Sequence, residues 1–304
     1  MHASKRIAMS QPTANAIRIG ECLLKALLME VCAWPKPGLV TPHSQGAHDD
    51  MDIWLFITSS SAIAPCFYAC AQAGEYHQGE LADLFPKIRL IGIEYESRLL
   101  QSTREINTQR GILFAGAVLA AAAGWLKGRR QPLSSESLSQ CVAGLCLDLC
   151  RNDFAALAHR SAQTHGEKLY LQFGITGVRG EAEQGFPLVC HIGLPALRQA
   201  LSLRFSWREA LVHTLLALMA HCDDTTVLSR AGPPALHEMK QRAQRLVNLG
   251  GMSHPGIEHE LNEFNAWCVD KWVSPGGSAD LLALTLAMYF LCHQLQEDPN
   301  EEEI

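Results

Sequence analysis

Residues 111–126 read GILFAGAVLAAAAGWL, a stretch without a charge and with apolar side chains all round a helical wheel. A helix that is apolar on every face is a buried one, and small Ala and Gly positions let neighbours approach closely, so this segment is the expected centre of the fold. It is shorter than the about 20 residues that cross a bilayer. A second uncharged stretch, residues 53–74, carries Thr58, Ser59, Ser60, Ser61, Pro65 and Gln72 and reads as another core helix.

The same 3.6-residue period extends outward from this centre. Leu23, Leu24, Leu27, Leu28 and Val31 predict a helix over 21–33, which Pro35 and Pro37 end. Further helices are predicted over 51–73, 84–103, 110–126, 134–161, 188–203, 206–222, 234–249, 256–272 and 278–296. Ser206 with Glu209 fits a capping box, and Ser278 is placed to cap the last helix. No run of alternating β-branched residues marks a sheet. The expected class is therefore all-α: a compact single-domain bundle of about ten helices over residues 1–304, with a polar ligand cleft formed by loops. Residues 1–18 and 297–304 are expected as frayed ends.

Composition narrows the function. With 48% hydrophobic and 18% charged residues the chain is globular. A net charge of −6 argues against general nucleic-acid binding, which needs many Lys and Arg, but leaves room for local cationic sites. The eleven Cys include no CxxC, and Cys66/Cys70 and Cys146/Cys150 stand at helix-face spacing, so buried free thiols are expected. That usage fits a reducing cytosol. The first twenty residues lack the apolar core and small-residue cleavage site of an export signal, so a cytoplasmic protein with no membrane role is expected.

Five polar, Gly/Pro-rich segments carry the candidate chemistry. In PKPGLVTPHSQGAHDDMD (35–52), prolines stiffen the chain around Lys36, and His48, Asp49, Asp50 and Asp52 gather at a helix head. That suits phosphate with Mg²⁺, and the same acids also suit helix caps. In STREINTQRG (102–111), Asn107, Thr108, Gln109 and Arg110 precede the apolar helix, whose N-terminal amides favour an anion. In FGITGVRGEAEQGFP (173–187), Arg179 stands with Glu181 and Glu183, whose spacing of two lets them point differently in an irregular loop and serve as base and metal ligand, or simply as a solvated turn. In HCDDTTVLSRAG (221–232), Asp223, Asp224, Thr225, Thr226 and Arg230 could hold a metal and a polyphosphate; two acids at a helix C-terminus oppose its dipole, so a compensating cation is expected. In WVSPGGSAD (272–280), Ser274 to Ser278 make a tight turn able to form an anion nest, with Asp280 a metal ligand or a first-turn acid. No P-loop, no GxGxxG after a strand and no HExxH is present.

Taken in order, PKPGLV, GAHDDMD, INTQRG, GVRGEAEQGFP, DTTVLSRAG and SPGGSADLLALT resemble the triphosphoribosyl-dephospho-coenzyme A synthase family, which serves citrate lyase and malonate decarboxylase. The resemblance runs from about residue 21 to 293 and leans slightly to the citrate-lyase branch. It implies a transferase in which the 2′-hydroxyl of 3′-dephospho-CoA attacks C1′ of the ATP ribose and adenine leaves, giving a prosthetic-group precursor for an acyl-carrier subunit. On this resemblance Glu181, Glu183 and Asp49 are the catalytic candidates. Lys36, Pro37, Gly38, His48, Asn107, Thr108, Arg110, Arg179, Gly180, Thr225, Arg230, Ser274, Gly276, Gly277 and Ser278 are the substrate-binding candidates, and Asp50, Asp223, Asp224 and Asp280 would hold Mg²⁺. A downstream holo-acyl-carrier-protein transferase or acyl-carrier subunit and a homodimeric state are further expectations.

Two departures matter. The family commonly reads GVNTHKG where this chain reads EINTQRG, and DTNVxxRGG where it has Thr226 and Ala231. Gln109 cannot titrate as a His would, and Glu105 adds an anion near a polyphosphate. These changes frame the alternatives: a catalytically weakened paralogue that binds ATP or a CoA derivative, or a related ribosyl transferase or N-glycosidase with another acceptor.

Overall fold

The computed structural model describes residues 11–294 except 156, 158, 159 and 163. The elements are α1 (Ala14–Cys32), α2 (Ile53–Glu75), α3 (Phe85–Ser102), α4 (Arg110–Gly128), α5 (Ser135–Leu145), α6 (Leu149–Ala155), α7 (His165–Phe173), α8 (Val178–Glu183), α9 (Leu194–Ser202), α10 (Trp207–His221), α11 (Thr225–Asn248), α12 (Ile257–Asp270) and α13 (Gly276–Gln294). Among the described residues there is no strand, only an isolated bridge between Thr41 and Ser44. The class is all-α.

Helix α4 is the centre, with Ala115 through Gly124 buried on every face. Small residues decide how closely α2 lies on it: a Cβ at Gly124 would fall 1.9 Å from the Ala71 carbonyl oxygen, and one at Gly74 would fall 2.1 Å from that of Ala121. Helix α1 packs on this pair, α13 packs on α1 and α4, and α10 packs against α9, α11 and α13. The buried apolar side chains form one contiguous cluster. Both α2 and α4 are long and apolar enough to cross a membrane by length and composition, and both are spent on this helix-to-helix core.

Several boundaries differ from the sequence reading. Helix α1 begins at Ala14, because Thr13 Oγ1 accepts from the Ala16 amide and Ala16 and Ile19 prolong the buried face. Residues 14–18 are thus helical rather than frayed; the expected fraying of residues 1–10 and 297–304 lies outside the described residues. The expected helix over 134–161 is two, broken where Asp148 takes a left-handed φ of 59°. Between 162 and 187, read as irregular, α7 starts at a Thr164–Glu167 capping box and α8 follows Gly177. Residues 189–193 form a π turn ahead of α9, because Pro195 has no amide to give to an α-helical register. Helix α11 begins at Thr225, nine residues before the predicted start, and kinks at Gly232 (φ 78°) before Pro233 and Pro234.

Capping expectations divide. Ser206 and Glu209 form the capping box that heads α10. Ser278 does not cap α13, which starts two residues earlier at Gly276.

Candidate active site

One cleft of about 1340 Å³ opens where the α4 and α13 N-termini meet α1, α3, α8, the head of α11 and the 36–51 loop. All five polar segments face each other across it, and the polar contributions of the first are Lys36 and His48. Its size exceeds the roughly 300–1,000 Å³ of ordinary small-molecule sites, which suits two large ligands together.

The loop holding Lys36 is docked by its glycine. Gly38 has φ 73°, its amide donates to Asn265 Oδ1 at 3.0 Å, and a Cβ there would fall 2.2 Å from the Val273 carbonyl oxygen. This close approach brings the first and fifth segments together. Lys36, buried, donates to the Glu30 backbone oxygen at 2.7 Å and pairs with the Glu30 carboxylate. Pro37 and Gly38 do not themselves line the cleft; they place Lys36. His48 Nε2 lies 2.8 Å from Ser274 Oγ, while its Nδ1 is 3.5 Å from Asp50, too long for a good hydrogen bond. Burial, then nearby Arg230, pushes the His48 imidazole towards its neutral form. Arg230 donates to the Trp272 and Ala47 carbonyl oxygens, so the fourth segment clamps the first and fifth.

Glu181 and Glu183 separate cleanly. Glu181 faces the cleft from α8, accepts from the Leu188 amide at 3.2 Å, and is pushed up to about 7 by burial. Glu183 points away and accepts from the Cys150 amide at 3.3 Å, tying α8 to α6. A helical turn, not the expected irregular loop, aims them apart.

The expected metal ligands scatter. Asp50 lies outside the cleft lining, as does Asp49, the third catalytic candidate, which is exposed. Asp223 pairs with Lys240 Nζ at 2.7 Å, and the same ammonium donates to the His221 carbonyl oxygen, which is the compensating cation anticipated for the end of α10. Asp224 is fully buried and saturated: Oδ1 accepts from the Thr226 and Val227 amides, and Oδ2 from the Ser278 amide and hydroxyl at 2.8 and 3.0 Å. A carboxylate has about four acceptor sites, so none is left for a metal. The anion nest of the fifth segment is therefore filled by the protein's own Asp224, which also takes the capping role expected of Ser278. Asp280 does face the cleft. Burial, then the Glu30 and Asp224 carboxylates, pushes its carboxyl well above the usual range, while the Ile112 amide opposes this. A Cβ at Gly111 would fall 2.0 Å from its Oδ2. Among the described residues no three His, Cys, Asp or Glu side chains gather to hold a metal by themselves. The Glu30 and Asp224 carboxylates do, however, lie near enough to Asp280 to oppose its ionisation, and Glu30 is paired with Lys36.

The family model described as ATP:dephospho-CoA triphosphoribosyl transferase (CitG) matches residues 16–299. The chain belongs to this family. It is 43% identical over 276 residues to a 2-(5''-triphosphoribosyl)-3'-dephosphocoenzyme-A synthase of Pectobacterium atrosepticum, covering 90% of this chain and 89% of that one. Probable enzymes of the same name from Malonomonas rubra (39% identical; 91% and 88% covered) and Streptococcus equi subsp. zooepidemicus (38%; 91% and 97%) are similarly close. No solved structure matches the chain.

Within this family member the two departures have clear placements. Gln109 is buried at the head of α4, where its Oε1 accepts from the Ser59 and Ser60 hydroxyls of α2. Glu105 is exposed and does not line the cleft, so it adds no charge there. Arg110, Asn107, Thr108, Arg179, Gly180, Thr225, Gly276 and Gly277 all line it. So do Glu30, Arg89, Glu96 and Asp153, which the sequence reading passed over. They sit inside helices α1, α3 and α6, where a charged side chain in sequence looks like part of a solvated face. For Glu30 a signal existed: it occupies the buried stripe of Leu23, Ala26, Leu27 and Val31, where a carboxylate needs a partner.

Proposed function

We propose that the protein transfers the 5-triphosphoribosyl group of ATP to the 2′-hydroxyl of 3′-dephospho-CoA and releases adenine. What carries this reading is Glu181, a carboxyl poised near neutrality in a cleft large enough for both nucleotides, in a chain of the matching family. Glu181 takes the hydroxyl proton as the acceptor oxygen bonds to C1′, the C1′–N9 bond breaks with its electron pair leaving on adenine, and a proton from water completes neutral adenine and is replaced when Glu181 returns its own to solvent. Such transfers pass through an oxocarbenium-like transition state, in which a positioned base contributes most when its pKa lies near the working pH.

Lys36, Arg110, Arg179 and Arg230 are assigned to phosphates, because two polyanions entering a protein of net charge −6 need local cations. Mg²⁺ is proposed as the companion of the ATP triphosphate. The donor set fits that role and not a protein-only cage: of the expected metal ligands Asp223 and Asp280 line the cleft, Asp223 is paired with Lys240, and the Glu30 and Asp224 carboxylates beside Asp280 would be offset by a cation. Mg²⁺ usually takes one or two carboxylates and fills its shell with phosphate and water. All eleven thiols are free, which favours a reducing, cytoplasmic setting. The product would pass to an enzyme that attaches it to an acyl-carrier subunit.

Incubating the protein with ATP, Mg²⁺ and 3′-dephospho-CoA should release adenine and add a triphosphoribosyl mass to the acceptor in equal amounts. Adenine without that mass gain would mean hydrolysis, and neither product would refute the transferase.

A further inference from the structure

Three side chains from distant parts of the chain meet on one wall of the cleft. Asp153 of α6 is largely buried; its Oδ1 accepts from Arg89 Nη2 of α3 at 2.6 Å, and its Oδ2 accepts from Arg179 Nε of α8 at 2.9 Å. Each guanidinium thus spends one of its five N–H donors on the carboxylate. Both arginines line the cleft and remain partly exposed, at 44% and 32% of the side chain. Each also lies over a ring, Arg89 at 5.0 Å from the Phe85 centroid and Arg179 at 5.7 Å from that of Phe154. Phe154 in turn stacks on Tyr170 at 3.9 Å.

To tie α3 to α6, one arginine would suffice. Two guanidinium groups on one carboxylate carry more positive than negative charge, which the phosphate of an incoming ligand would offset. The planar fork of Arg matches phosphate oxygens two at a time, and a fork already held by ring and carboxylate loses little freedom on binding.

We propose that Asp153 is a positioning residue that presets Arg89 and Arg179 as two prongs of a seat for the polyphosphate chain of a nucleotide substrate. The proposal rests on the transferase reading for its choice of ligands: ATP carries a triphosphate and dephospho-CoA a diphosphate. The chemistry of the seat is shared, and the experiment separates the two sources.

Tripolyphosphate, ATP and 3′-dephospho-CoA are titrated separately by calorimetry into wild type, Arg89→Ala, Arg89→Lys, Asp153→Asn and the control Arg98→Ala, which removes an α3 cation paired with Glu94 away from the cleft. Losing charge-assisted hydrogen bonds should weaken tripolyphosphate and one nucleotide by about tenfold or more in Arg89→Ala. Arg89→Lys should recover only part of this, because an ammonium has no fork. Asp153→Asn should raise KM for that same nucleotide with kcat little changed and melting temperature retained, and Arg98→Ala should behave as wild type. The nucleotide that weakens identifies the chain the seat holds. Unchanged binding of all three ligands in Arg89→Ala would overturn the seat while leaving the transferase reading intact. A loss in Arg89→Ala without one in Asp153→Asn would overturn the positioning role. If wild type forms no triphosphoribosyl product yet its tripolyphosphate binding depends on Arg89 and Asp153, the seat stands and the transferase reading falls.

Discussion

Among the described residues Glu181 has one backbone amide as its partner and no cation that lowers its pKa, so burial dominates and its proton is released at about 7 instead of the ordinary 4.5. As the base it must be ionised, so kcat/KM is expected to rise with pH up to about 7 and then level off. Glu181→Gln should lower kcat by roughly 10²–10⁴-fold and abolish that limb of the pH profile. Stability runs the other way. Between 4.5 and about 7 the folded protein holds a proton the unfolded chain has lost, so the contribution of Glu181 to folding is full below 4.5 and drains away as pH rises. Glu181→Gln, which never ionises, should therefore be the more stable protein above pH 7, by at most about 3 kcal/mol in denaturant titrations. Equal stability at pH 8 would mean that the carboxyl is not desolvated. A second contrast needs no ionisation. At Gly111 a Cβ would collide with Asp280, whereas at Gly92 of α3 it would meet nothing within 4 Å. Gly111→Ala should cost about 1–3 kcal/mol. Gly92→Ala should instead gain about 0.5–1 kcal/mol from helix propensity, and thermal denaturation of the pair will show whether the signs are opposite.

At the scale of elements, Asp224 joins two helix starts, with one oxygen serving α11 and the other α13. An Asn there keeps one acceptor and presents an NH₂ to donors. Asp224→Asn is expected to cost about 2–4 kcal/mol, more than the about 1 kcal/mol of a single cap such as Asp52 of α2. Chemical denaturation of Asp224→Asn beside Asp52→Ala tests this, and equal losses would remove the double-cap argument. Local signals were legible here: the Ser206–Glu209 box, the apolar α4 and the need for a cation near Asp223 all follow from short-range rules. The tight turn at Ser274–Ser278 was legible too, but not its occupant, because Asp224 lies 54 residues away in sequence from Ser278. Helices α7 and α8 were missed for a related reason. Each is short, with a polar sequence, and α8 is held by Glu183 on α6 and Glu181 on Leu188 rather than by a periodic apolar stripe.

Across the whole molecule the cleft exists only because distant segments converge, and its charges are distributed accordingly. The lining holds Lys36, Arg89, Arg110, Arg179 and Arg230 together with Glu30, Glu96, Asp153, Glu181, Asp223 and Asp280. Most of these cations are committed: Lys36 to Glu30, Arg89 and Arg179 to Asp153, and Arg110 to Glu96. A polyanionic substrate must compete with Glu30 for Lys36 and with Glu96 for Arg110, so its attraction there is a difference between two electrostatic terms. Exposed pairs such as Arg110–Glu96, with side chains 43% and 34% exposed, are screened by salt over a Debye length of about 10 Å at ~0.1 M, whereas Glu181 is shielded by burial. Raising ionic strength from about 0.01 M to about 1 M should therefore increase KM for both nucleotides several-fold and leave kcat nearly constant. Steady-state kinetics in a KCl series decides it. A kcat that falls with KM unchanged would place the decisive charges at the reacting centre and not along the cleft walls.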